Sequence, residues 1–142
     1  MEHKKIAVAC FNEAWNYLDM KELNLEQKTQ LLHLVHTSRY HWGQIGTDLE
    51  KCRGEWQISR AYSKCELNDA ALLHGERCLE FALKAELGGF DLAFAYEAIA
   101  RSKKNLGLEY ELEFDKALSI ANGIEAKGDK DYTLGEIKSI RG

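Results

Sequence analysis

The chain of 142 residues contains no proline, so no helix in it meets the missing donor and ring clash that break helices from within. Cysteine is sparse: Cys10, Cys52, Cys65 and Cys78, with no Cys-x-x-C arrangement among them. That pattern argues against a zinc site and for buried free thiols packing as small hydrophobes in a reducing compartment. An excess of one charge sign is also missing. The 19 basic and 23 acidic side chains leave a formal net charge of −4, which provides no broad cationic field for nucleic acid. No apolar run approaches the roughly 20 residues of a membrane-spanning helix. The stretch Ile6 to Phe11 is cut by Asn12 and Glu13 and is too short for a secretion signal, so the expected location is the cytoplasm. A hydrophobic content of 45% with that modest charge excludes low-complexity, collagen-like and disordered classes. One domain, residues 1–142, is expected, large enough to bury a core with no metal, disulfide or cofactor to hold it together.

Apolar residues recur at helical spacing almost throughout, and no segment of more than four residues keeps a clean alternation of period two, so the fold class is all-α. The first helix, about 3–20, carries Ala7, Phe11, Ala14, Trp15 and Leu18 on one stripe. Asn24 with Gln27 forms a capping box for a second helix to about Trp42, ending near Gly43 and Gly46, and Thr47 with Glu50 does the same for a third, about 48–65. Asn68 is expected to cap a fourth, about 69–87, stopped by Gly88-Gly89. A fifth runs about 91–105 to Gly107, a sixth about 109–126, and a short last one about 131–140. Short connections make neighbours antiparallel, giving three hairpins, 3–42, 48–87 and 91–126, plus a terminal helix.

An internal pattern bears on how the hairpins stack. Ser59 and Tyr62 on the third helix are followed by Ala71, Gly75, Cys78 and Leu79 on the fourth, and Tyr110, Phe114, Ala117 and Leu118 repeat the latter set 39 residues on. In this spacing the hairpins resemble the tetratricopeptide repeat. The resemblance implies a right-handed superhelix in which small residues let the third and fourth helices approach closely, with Gly75 at the tightest point; a helical bundle is the alternative. The motif departs from the family in its period, in Arg101 standing at a tyrosine position, and in the absent proline. The strings from His36 to Gln44, Gly54 to Arg60 and Phe90 to Arg101 also resemble those of small bacterial helical-repeat proteins.

Two groups of side chains are candidates for function. His33, His36 and His41 share the polar face of the second helix with Thr37 and Tyr40, and three imidazoles on one face could hold a divalent metal. The string His36-x4-His41-Trp42-Gly43 resembles the histidine motif of DinB-like metal proteins, although its spacing and its place in the chain differ. The second group lies on the third and fifth helices. Glu55, Trp56, Arg60, Tyr96, Glu97 and Arg101 combine arginine with tyrosine and tryptophan, the composition of binding hot spots, and a superhelix would turn both helices to its concave side. There Arg60 and Arg101 would bind a carboxylate, with Glu55 and Glu97 orienting them. No nucleophile elbow, dinucleotide fingerprint, phosphate loop or His-Glu-x-x-His is present, and the run Glu109, Glu111, Glu113 and Asp115 reads as a solvated helix start. The expected function is a non-enzymatic module that binds a protein or peptide, possible as a homodimer. The alternative is a metal- or small-ligand-binding bundle built on the histidine face.

Overall fold

The computed structural model describes residues 2–142. The chain is all-helical, with α1 His3–Leu18, α2 Leu25–Ile45, α3 Asp48–Lys64, α4 Asn68–Lys84, α5 Gly89–Asn105, α6 Glu111–Asn122 and α7 Lys127–Lys138, followed by a single 3-10 turn, Ser139–Arg141. Among the described residues no helix is long and apolar enough to cross a membrane. Both capping boxes form: Asn24 and Gln27 exchange side-chain to backbone bonds at 2.8 and 2.9 Å, and the Thr47 amide donates to Glu50 at 2.7 Å.

Several helix ends differ from the expected ones, each for a local reason. α2 continues through Gly43 to Ile45, and at Gly43 the Arg39 guanidinium lies 2.8 Å from where a Cβ would stand. Gly46 becomes the cap instead, its amide donating to the Trp42 carbonyl. Asn68 does not cap α4; Leu67 holds that position, its amide already committed to the end of α3. α6 stops at Asn122 with Gly123 as its cap, and α7 starts at Lys127, where Lys127 reaches Asp131 at 2.7 Å.

The same termination recurs after three successive helices. Glu66, Glu86 and Gly107 adopt positive φ of 61°, 54° and 76°, and the next residue's amide returns to a carbonyl in the last turn: Leu67 to Tyr62, Leu87 to Ala82 and Leu108 to Lys103. This left-handed cap satisfies the orphan carbonyls of a helix end and turns each following helix back along its predecessor.

Consecutive helices pack together, and α1 also contacts α3, α3 contacts α5, and α5 contacts α7. The odd-numbered helices therefore form one connected layer. The buried side chains divide accordingly into three clusters. Ala14, Leu31, Val35, Ile58 and Ala61 fill the space between α1, α2 and α3; Cys52, Cys78, Phe81, Ala82 and Ala95 fill that between α3, α4 and α5; Ala93, Ala100, Phe114, Ala117, Ala121 and Ile137 fill that between α5, α6 and α7. The expected position of Gly75 is corrected here. A Cβ on Gly75 would meet the backbone carbon of Ala98 at 3.3 Å and the Ile99 nitrogen at 3.4 Å, so its closest approach is to α5 and not to α3. The α3–α4 contact is instead made at Ser59, whose hydroxyl donates to the Ala71 carbonyl at 2.7 Å.

Candidate binding site

A concavity lies on the odd-helix layer. It encloses about 350 Å³ and is walled by Phe11 and Trp15 from α1, Trp56 from α3, Phe90 and Phe94 from α5, and Tyr132 from α7. Cys52 and Cys78 complete the lining, with Arg53 and Asp91 as its charged members. Three of the contributing helices place residues one turn apart, Phe11 with Trp15, Cys52 with Trp56 and Phe90 with Phe94, so that both members of each pair lie on one face. The rings support one another: Trp15 to Trp56 at 5.9 Å, Trp56 to Phe94 at 5.5 Å, Phe90 to Phe94 at 4.8 Å and Phe94 to Tyr132 at 6.1 Å between centroids. The buried Gln57 amide donates to the Phe11 carbonyl at 3.0 Å and fixes α1 against α3.

The polar edges of the cavity are already paired. Arg53 donates from Nε and Nη2 to the two Asp91 carboxylate oxygens at 2.9 and 3.2 Å. That hydrogen bond outweighs burial and pushes the Arg53 guanidinium further up, so it stays charged. The Cys52 and Cys78 sulfurs lie 3.6 Å apart, both buried. The contact with Cys52, then burial, pushes the Cys78 thiol well up, so Cys78 is a neutral, weakly nucleophilic part of the wall.

Behind Trp56 lies a buried charge network. Its indole Nε1 donates to Glu97 Oε1 at 3.0 Å, while Arg101 Nε donates to Glu97 Oε2 at 2.6 Å and Arg60 Nη1 to the same oxygen at 3.3 Å. The Arg60 guanidinium lies over the Trp56 ring at 5.8 Å. Arg60 also reaches Glu136 at 2.8 Å, and Arg101 donates to the Glu136 carbonyl at 3.0 Å and to Ser139 at 2.9 Å. The expected groove is thereby corrected. Trp56, Arg60, Glu97 and Arg101 do come together, but α7 supplies the acceptors, and the crevice between them leaves no space even for a water molecule. Glu55 points the other way. Its buried carboxylate accepts from Arg39 Nε at 2.8 Å and His74 Nδ1 at 2.7 Å, so it orients neither Arg60 nor Arg101. Tyr96 packs into the α5–α6–α7 cluster, with the Lys116 ammonium 5.4 Å from its ring centroid.

The histidine face does not assemble a metal site. His36 shares a 2.7 Å hydrogen bond with the Tyr62 hydroxyl and lies against His74 at 5.6 Å between centroids, whereas His41 pairs with His3 at 2.8 Å. His33, His36 and His41 therefore do not converge, and among the described residues no group of three or more His, Cys, Asp or Glu side chains has metal-binding geometry. Burial first, then the neighbouring His74 charge, hold His36 below its ordinary value. Burial works to raise the Glu55 carboxyl, but the bonds and charges of His74 and Arg39 outweigh it and hold it low.

Phe11 and Trp15 read in the sequence as core stripe. Their role in a cavity could have been sought in the paired rings one turn apart on the first and fifth helices, Phe11 with Trp15 and Phe90 with Phe94. Comparison of the chain with protein-family models, curated proteins and solved structures finds no match.

Proposed function

We propose that the protein is a non-enzymatic, tetratricopeptide-like binding module of the cytoplasm, and that its aromatic cavity seats a bulky apolar side chain of a partner protein or peptide. The observation that carries this reading is the cavity itself. Rings from four separate helices, α1, α3, α5 and α7, border about 350 Å³ of space that no side chain among the described residues fills. Tyr132 and Phe90 remain 52% and 40% exposed at its edge, and with the other rings they form one contiguous apolar concavity rather than scattered surface groups. The repeated left-handed caps and the odd-to-odd helix contacts support a superhelical stacking of hairpins, whose inner helices would carry the site. Free, largely buried thiols accord with a reducing compartment.

The test is selection of a random peptide library on the protein. Enriched peptides should carry a large apolar residue. Phe90→Ala and Tyr132→Ala should weaken their binding by about 2 kcal/mol or more while shifting stability by less than about 1 kcal/mol. Selected peptides that bind both variants as well as the parent would place the site elsewhere.

A further inference from the structure

The mouth of the cavity carries the Arg53–Asp91 ion pair, with the arginine as its more exposed member. Asp91 turns both carboxylate oxygens onto Arg53, and its side chain is only 15% exposed, against 53% for Arg53. The acid is thus used up within the pair. Two guanidinium N–H groups are engaged, and those on Nη1 and the outer side of Nη2 have no acceptor among the described residues. Inside, the walls are rings and two thiols with no unpaired charge. A cation entering would meet the guanidinium edge at the rim; a neutral apolar group would leave those donors to water; an acceptor-bearing group would engage them.

We infer that the cavity recognises a partner segment in which a bulky aromatic side chain is directly adjacent to an aspartate or glutamate, the ring entering between Trp15, Trp56 and Phe94 and the carboxylate meeting Arg53. This rests on the binding reading above and adds the chemistry of the partner. Space is sufficient, since an apolar cavity of about 150 Å³ already accepts benzene and this one has about 350 Å³. The incoming ring extends an array of edge and tilted contacts already present from Trp15 to Phe94. The carboxylate then forms charge-assisted bonds to the guanidinium N–H groups that Asp91 leaves unengaged. Arg53 is a positioning and specificity residue in this scheme, while the rings supply contact area.

The inference is tested by titrating the isotope-labelled full chain with the peptide acetyl-Gly-Ser-Trp-Glu-Ser-Gly-amide. Counterpart peptides carry Gln or Lys in place of Glu, or Ala in place of Trp, and the backbone and indole N–H resonances are followed. The parent peptide should shift the Trp15 and Trp56 indole signals and bind about tenfold more tightly than the Gln peptide, with the Lys peptide weaker still. Arg53→Gln should abolish the preference for Glu over Gln. Asp91→Asn, which leaves Arg53 in place and releases it, should retain or enlarge the preference. Equal affinity for the Glu, Gln and Lys peptides, or a Glu preference that survives Arg53→Gln or disappears in Asp91→Asn, would overturn the inference and leave the cavity reading standing. Absence of any indole shift with every Trp peptide would overturn both.

Discussion

Arg60 reaches Glu136 at 2.8 Å across 76 positions of sequence, joining the third helix to the last. The contact closes a network centred on Glu97, whose side chain is 1% exposed and accepts from Trp56, Arg60 and Arg101. A buried carboxylate so arranged is costly to orphan, whatever its net contribution when fully paired. Arg101, at 2.6 Å, is its shortest partner. Arg101→Ala should therefore destabilise the fold by about 3 kcal/mol or more, and Arg60→Ala by about 1 to 2 kcal/mol, because Arg101 and Trp56 would still hold Glu97. Urea denaturation of both variants and of the double variant gives the order and the coupling. Equal, negligible losses would show that these arginines are surface groups after all.

Gly75 faces Ala98 where α4 packs on α5. A Cβ at Gly75 would stand 3.3 Å from the Ala98 carbonyl carbon, so Gly75→Leu must push α4 away from α5 at a cost of about 1 to 3 kcal/mol or more. Gly75→Ala combined with Ala98→Gly moves the methyl group across the interface and should recover much of any loss that Gly75→Ala shows alone. Chemical denaturation of the four proteins is the check, and a Gly75→Leu variant as stable as the parent would deny the close contact.

Glu66 and Glu86 hold left-handed conformations with φ of 61° and 54°, where a side chain is strained and glycine is not. Both are exposed. Glu66→Gly and Glu86→Gly should each raise stability by up to about 1 kcal/mol. Thermal melts that fall in both variants would show that the glutamate side chains contribute more than the backbone strain costs.

How much of this was legible depends on how local each cause is. The capping boxes at Asn24 and Thr47 are written within four residues, so the starts of α2 and α3 follow from sequence. The left-handed caps at Glu66 and Glu86 are local too, but nothing distinguishes those glutamates from their neighbours until the leucine after each folds back. Gly43 looked like a stop because the side chain that fills its space, Arg39, is drawn there by its bond to Glu55 on another helix. Glu97 with Arg101 reads as an exposed pair one turn apart, since burial by α7 depends on Glu136, far along the chain. The cavity was hidden for the same reason. Its walls come from helices separated by whole hairpins, and each pair taken alone is an ordinary core stripe.

On the outer side, His36 connects α2 to Tyr62 of α3 and His74 of α4, and its titration makes the fold sensitive to acid. Burial, then the charge of His74, lower His36 from its ordinary 6.5, with Glu55 opposing and His33 adding to the effect. The sign follows from linkage. A folded-state value below the unfolded one means that the unfolded chain takes up the proton first, so the stabilisation is complete above about pH 6.5 and is lost as pH falls through the lower, folded value. Glu55 acts in the same direction further down. Its carboxyl lies below the ordinary 4.5, so its contribution is present above that pH and is lost as acid protonates it. Stability should therefore fall in two stages on acidification, the first beginning near pH 6.5. His36→Gln keeps a hydrogen-bonding partner for Tyr62 and removes the proton site, so urea midpoints measured between about pH 8 and pH 5 should become flatter in that variant while the steeper loss below about pH 4.5 persists. A variant whose midpoint still drops between pH 6.5 and 5 as steeply as the parent's would assign the first stage to another group.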